Sequence, residues 1–242
     1  WIYLDSARRG NAQNRVFRLD DCTPDVLKFK SFLLEKAPNV LLKAAPLLDL
    51  DGAIRQLATV ETVHVVAVEN EVKELLFTLR RAVAREPEIR AVNLLKNGGE
   101  HRLTFRRSEE AAAPVEFSAP HHFLYEPNAA LLKAGAFRLL ATRFGLKKLH
   151  PSSHLYTSDA LRTDFPGRIF SVKTTVKPDR RALHAVLPEA RANLTVRNFP
   201  TSVAELRKKL ALAEGGDVYV FATTLADGKH ALVVTEKTEG WG

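Results

Sequence analysis

Three uninterrupted apolar stretches constrain this chain more than any other feature: Trp1-Ile2-Tyr3-Leu4, Asn39-Val40-Leu41-Leu42 and Thr62-Val63-His64-Val65-Val66-Ala67-Val68. A strand buried on both faces reads as a continuous apolar run, whereas a strand with one wet face alternates. Helical signals lie between these stretches. Thr23-Pro24 is an N-cap and first-turn signal for a helix to about Lys36, and Asp51 stands where it can cap a helix carrying Ile54, Leu57 and Ala58. Strands joined through helices imply a parallel sheet covered on both faces. The pattern continues past Val68: Glu69-Asn70-Glu71 opens a segment with Val72, Leu75, Leu76, Leu79 and Val83 at helical spacing, so a long helix is expected there.

The alternation then changes character. Ile89 to Leu95 and His101 to Phe105, joined through Asn97-Gly98-Gly99, read as an antiparallel hairpin. The stretch from Arg106 to Pro120 reads as a linker. Beyond it come a strand Phe123 to Pro127, a helix capped by Asn128 with Gly145 at its end, and a return from Leu146 to Tyr156 broken at Pro151. A strand Ile169 to Lys177, a helix Pro178 to Leu187 and a strand Asn193 to Phe199 follow. A helix starts at Ser202, where Glu205 completes a capping box, and the pattern closes with a hairpin through Asp227-Gly228. The expected division is 1–115, 116–165 and 166–242.

Charge is unevenly spread. Residues 1–120 carry 18 Lys+Arg against 17 Asp+Glu, while residues 121–242 carry 18 against 11. A basic domain beside a nearly neutral one fits nucleic-acid binding by the second, the alternative being a solvated basic surface. Cys22 is the one cysteine, too few for an internal disulfide or a cysteine zinc site, as in a reducing compartment. No run of eighteen or more apolar residues and no secretory signal pattern is present, so a cytoplasmic protein without a membrane segment is expected. The chain opens inside a strand pattern and contains no methionine, and it reads as the C-terminal portion of a longer protein.

Few motifs carry chemistry. No glycine-rich loop follows a strand; Gly98-Gly99 and Gly215-Gly216 belong to turns. No histidine pair has metal-helix spacing, since His121 and His122 are adjacent and point apart on a strand, and no metal is expected. No nucleophile elbow marks a Ser/His/Asp arrangement. Asp5 differs, because it ends a strand with Arg8 and Arg9 behind it, and open α/β sheets bind ligands outside the carboxyl ends of their strands. The alternative is an Asp that caps a turn.

The runs Asp5-Ser6-Ala7-Arg8-Arg9, Val16 to Pro24 and Leu41 to Asp49 resemble a bacterial family of class I S-adenosylmethionine-dependent methyltransferases. Phe123 to Asn128 is similar to that family's ferredoxin-like insert, and Arg168 to Lys237 resembles its THUMP-like domain. The resemblance implies an α/β fold: the C-terminal half of a Rossmann-like methyltransferase sheet, followed by small α+β domains. It places Asp5 at the acceptor site as the catalytic residue, with Ser6 where the family usually has proline. Serine does not fix φ, which loosens the turn that presents the acid. Ser6, Arg8, Arg9 and Lys43 are the expected substrate contacts; Asp21 is a site member or a helix-cap neighbour. S-adenosylmethionine is the implied cofactor, bound by strands that precede Trp1, so these residues alone are expected to bind it poorly.

The THUMP-like resemblance implies RNA, either tRNA or rRNA. Candidate phosphate contacts are Lys147, Lys148, Arg180, Arg181, Arg197, Arg207, Lys208 and Lys209. Tyr156, Phe170 and Phe199 are available for stacking, with core packing the reading preferred for Phe170 and Phe199. Two alternatives stand beside RNA methylation. One is a non-catalytic RNA-binding or scaffold protein with a decayed methyltransferase domain, and the other is a methyltransferase for a small molecule or protein. Oligomeric state is not legible.

Overall fold

A computed structural model describes residues 1–5, 7, 8, 19, 22, 23, 25–83 and 85–238, with 7, 8, 22 and 23 described in backbone only. Ser6, Arg9 and Asp21 of the expected site lie outside the described residues. The chain divides into two compact units, residues 1–112 with 128–136, and residues 113–127 with 137–242.

The first unit opens with β1 (Ile2–Asp5), then the short pair β2 (Ala7–Arg8) and β3 (Cys22–Thr23). Next come α1 (Val26–Lys36), β4 (Asn39–Ala44), α2 (Leu50–Leu57), β5 (Val60–Val68), β6 (Glu71–Arg80), β7 (Glu88–Leu94), β8 (Glu100–Phe105) and α3 (Arg107–Ala112). The described strands form a six-stranded sheet in the order β1-β4-β6-β5-β7-β8. β1 runs parallel to β4, and β5 parallel to β7, while β6 and β8 are antiparallel to their neighbours.

The helix expected after Val68 is strand β6. Glu69 and Asn70 both take positive φ, 49° and 66°, which makes a two-residue hairpin turn. Asn93 accepts the Asn70 N–H through Oδ1 at 2.9 Å and secures the turn. Within β6, Leu75, Phe77 and Leu79 are fully buried while Leu76 between them is half-buried. Those three share one face at period two, and the Leu75–Leu79 spacing alone fits both templates. The sheet is accordingly mixed, not purely parallel.

β1 stands at one end of this strand order, with Trp1 and Tyr3 exposed and Ile2 and Leu4 half-buried. Tyr3 stands beside Leu41 in the register, and Lys43, His64 and Arg90, half-buried, continue the same face, which meets solvent. The helix caps shift by two residues from their predicted places. Asp25 caps α1 by accepting from Leu27 and Lys28, and Asp49 caps α2 by accepting from Gly52.

The expected linker contains α3, with Glu109 accepting the Arg106 N–H at 2.7 Å. Arg107 then donates to Asp51 at 2.8 Å and to the carbonyl of Ala134 at 2.7 Å.

The first strand longer than one bridge in the second unit is β9 (Phe123–Pro127). The chain then returns to the first unit with α4 (Ala129–Ala134), which lays buried Ala130, Leu131 and Ala134 on β5, β6 and β7. Asn128 caps that helix, and Gly135 at φ 75° ends it.

α5 (Arg138–Phe144), β10 (Lys147–Lys148), β11 (Tyr156–Ser158), β12 (Gly167–Val176), α6 (Arg180–Val186), β13 (Asn193–Arg197), α7 (Val203–Leu210), β14 (Val218–Thr224) and β15 (His230–Lys237) complete the second unit. Its described sheet has the order β10-β11-β9-β12-β15-β14-β13. The capping box at Ser202 and Glu205 is present as the sequence requires.

Leu183, Leu187, Leu206 and Leu210 from α6 and α7 form a core with Leu194, Val220, Leu232 and Val234 on one face of this sheet. Leu149 and Leu155 pack with Leu124, Phe170, Phe221 and Val233 on the other. No helix among the described residues is long and apolar enough to cross a membrane.

Candidate functional sites

At the carboxyl ends of β1 and β4 the register places Asp5 beside Lys43. Lys43 Nζ lies 2.6 Å from Asp5 Oδ2 and 3.8 Å from Glu74, and these residues with Ala44, Ala45, Pro46 and Lys73 line a cleft of about 230 Å³. The hydrogen bond to Asp5 raises the Lys43 pKa above its ordinary value, which keeps the ammonium charged. Asp5 is thus held opposite a fixed cation, with about half its side chain exposed (49%). A carboxylate so placed accepts hydrogen bonds, while the ammonium attracts an anionic group. Sequence pattern brought these two together; Glu74 and Lys73 went unforeseen because they lie on β6, read as a helix. Arg8 is placed by its backbone in β2.

The expected phosphate contacts scatter over the second unit. Lys147 is exposed and pairs with Glu116 at 3.2 Å. Lys148 is 2% exposed; its ammonium donates to the carbonyl of Pro151 at 2.8 Å and lies over the rings of Phe137 and Tyr156. Arg180, Arg181, Lys208 and Lys209 are exposed on α6 and α7. Arg207 is turned inward, with Nη1 donating to the carbonyls of Ala192 and Leu212. Among the aromatics, Phe170 and Tyr156 are fully buried, and Phe199 packs edge-on against His230.

Arg197 belongs to a cluster that the sequence did not reveal. Glu126 on β9 is 3% exposed on its side chain and holds two arginines, one on each oxygen. Arg168 donates Nε at 2.8 Å and also Nη2 to Oε2. Arg197 donates Nε at 3.0 Å and Nη2 at 2.7 Å to Oε1. Three strands, β12, β15 and β14, separate β13 from β9 in the sheet order, so Arg197 reaches Glu126 across a curled sheet.

Gly167 permits the approach at this corner. A Cβ there would meet the Glu126 carbonyl oxygen at 2.1 Å and Pro127 Cα at 2.9 Å. His154 is a neighbour, stacked on Phe137 at 3.6 Å with φ at 53°. Its pKa is pushed down to about 4, first by burial and then by Lys148 and Arg197.

A hydrogen-bonded Ser118-His121-Asp159 line is also present, with Ser118 Oγ 2.5 Å from Nε2 and Asp159 2.8 Å from Nδ1. Its acid is 67% exposed and also takes His122 at 3.3 Å, so water screens the charge that a buried triad acid supplies. The line ties the loop before β9 to the end of β11. Among the described residues no three His, Cys, Asp or Glu side chains gather as a metal site.

Residues 123–166 match the model of a ferredoxin-like domain, and residues 167–237 match that of a THUMP-like domain. The chain carries both domains, one after the other. Over 98% of its length it is similar to the crystal structure of a provisionally assigned methyltransferase from Porphyromonas gingivalis W83, with 38% sequence identity and a TM-score of 0.88. It covers 59% of that chain, less than two thirds. No curated protein matches it significantly. The THUMP-like domain contains Arg168 and Arg197, while Glu126 lies in the ferredoxin-like match.

Proposed function

We propose that these residues are the acceptor-side and RNA-recruiting part of a cytoplasmic RNA methyltransferase that uses S-adenosylmethionine. The observation that carries this reading is the THUMP-like domain in the basic half of a chain whose structural neighbour is a provisionally assigned methyltransferase. The Asp5–Lys43 pair at two parallel strand ends supports it.

The described residues do not fit the methyl donor. β4 runs into Ala45-Pro46, and the positive-φ glycines occupy hairpin turns at Gly98 and Gly228, helix ends at Gly135 and Gly145, and the approach to β14 at Gly215 and Gly216. None cradles a nucleoside behind a parallel strand. These residues therefore contribute on the acceptor side. Asp5 receives a hydrogen bond from the acceptor amine or hydroxyl and orients it for in-line displacement, and Lys43 holds a nearby phosphate.

Two measurements test the reading. Fluorescence anisotropy with bulk tRNA should give binding that weakens steeply with salt, as phosphate contacts require. Binding that is absent, or flat in salt, removes the RNA assignment. Calorimetry of the 242-residue chain with S-adenosylmethionine should show no micromolar binding; micromolar affinity would mean that the donor cradle lies within these residues after all.

A further inference from the structure

One buried carboxylate, Glu126, holds two guanidiniums at once. Each guanidinium spends only its Nε and Nη2 edge on the carboxylate. Among the described residues neither Nη1 has a hydrogen-bond partner, and the two side chains remain 35% and 37% exposed. Arg168 also rests over the rings of Phe170 and Tyr219, its Cζ 5.5 and 6.0 Å from their centroids. Both forks are consequently fixed before any ligand arrives, and little side-chain freedom is left to lose on binding.

The charge balance points the same way. Two guanidiniums on one carboxylate leave a net positive charge, and burial first, then Lys148 and Arg197, favour the neutral form of the His154 imidazole. His154 Nδ1 is buried with no hydrogen-bond partner, and its residue sits at positive φ. Backbone strain of this kind collects at binding sites. A planar fork with paired N–H donors matches the oxygens of a phosphodiester.

We propose that Arg168 and Arg197, pinned by Glu126, form the subsite of the THUMP-like domain that receives a phosphodiester of the bound RNA. The inference rests on the RNA reading above and adds the place of contact, a corner of the curled sheet, distinct from the exposed lysines of α7. Glu126 is a positioning residue; it aims both forks and touches no RNA.

The test begins with the unaltered chain, so that folding is not at issue. Arginine modification by phenylglyoxal, mapped by mass spectrometry, is measured with and without saturating bulk tRNA. Arg168 and Arg197 should each be protected about fivefold or more, the protection a largely occupied site gives. Unchanged rates at both, with tRNA demonstrably bound, overturn this subsite and leave the RNA reading standing. Absence of any tRNA binding overturns both.

The double variant Arg168→Lys with Arg197→Lys keeps the charge and the partners of Glu126 but lacks the forks. It should bind tRNA about tenfold more weakly at an unchanged salt slope. Parent-like affinity in a folded double variant, judged by circular dichroism, would also overturn the subsite. Lys208→Gln with Lys209→Gln on α7 is the contrast, expected to lower the salt slope while leaving the protection of Arg168 and Arg197 in place.

Discussion

Asp5 and Glu126 are both carboxylates held by cations, yet they stand in different solvents. Asp5 is at the carboxyl end of β1, half exposed, with one lysine at 2.6 Å. Glu126 is almost wholly buried and receives both edges of its carboxylate filled by arginine forks. Water can replace what Lys43 does for Asp5, so that pair can part for a ligand at little cost to the fold. Water cannot enter easily at Glu126, so breaking the cluster exposes buried charge to a low-dielectric surround. The exposed pair can exchange its partner for water or a ligand; the buried one is suited to hold a shape.

The largest effect that separates the two is expected for Glu126→Gln. It leaves two guanidiniums, each about a third exposed, beside a neutral amide and should cost about 1–3 kcal/mol in urea unfolding, the range for losing hydrogen bonds to a charged group. A cost under about 1 kcal/mol would put Glu126 in the same class as surface pairs. Gly167→Ala comes next. The added methyl group collides with the backbone that carries Glu126, and a loss of about 1–3 kcal/mol should follow from overpacking, read as a lowered Tm. An unchanged Tm would mean that β9 and β12 can move apart freely.

His154 sharpens the comparison through pH. Its unfolded imidazole titrates near 6.5 and the folded one at about 4, so between these values the unfolded chain holds more proton. The stability that depends on neutral His154 is complete above pH 6.5 and is lost as pH falls toward 4. His154→Asn, which tolerates the positive φ, should flatten Tm against pH across that window. The same slope in the variant would assign the acid sensitivity to other groups. The smallest effect on stability is expected at the exposed pair, where Asp5→Asn should leave Tm unchanged. A loss as large as that of Glu126→Gln would make Asp5 part of the frame.

Local chemistry was legible wherever a short segment decides its own conformation. The Ser202–Glu205 capping box, the Asn128 cap and the Asn97-Gly98-Gly99 hairpin follow from side-chain hydrogen bonding or from positive φ, which neighbours along the chain determine, whereas the single helix expected from Asn128 to Gly145 is two, α4 ended by Gly135 and α5 ended by Gly145. β6 was not legible, because the Leu75–Leu79 spacing fits both a helical and an alternating template, and the decision rests on the Glu69-Asn70 turn and the strands on either side.

Site legibility divides in the same way. Asp5 and Lys43 each end an apolar strand, and parallel pairing makes them neighbours. Arg168 and Arg197 lie 42 and 71 residues from Glu126; strand register sets Arg168 beside it, and only the curl of the sheet brings Arg197 there. Lys148 looked like a surface lysine beside Lys147, but the two-residue strand β10 turns one side chain out and the other in.

The path of α4 has a consequence for how such a molecule can change over time. The helix that covers β5, β6 and β7 is encoded inside the ferredoxin-like segment, after β9 has already joined the other sheet. A lineage that dropped the C-terminal half, or traded it for another module at the obvious boundary, would strip Ala130, Leu131 and Ala134 from the first sheet and leave its core open. Removing the C-terminal half at that boundary would therefore take part of the first unit's core with it.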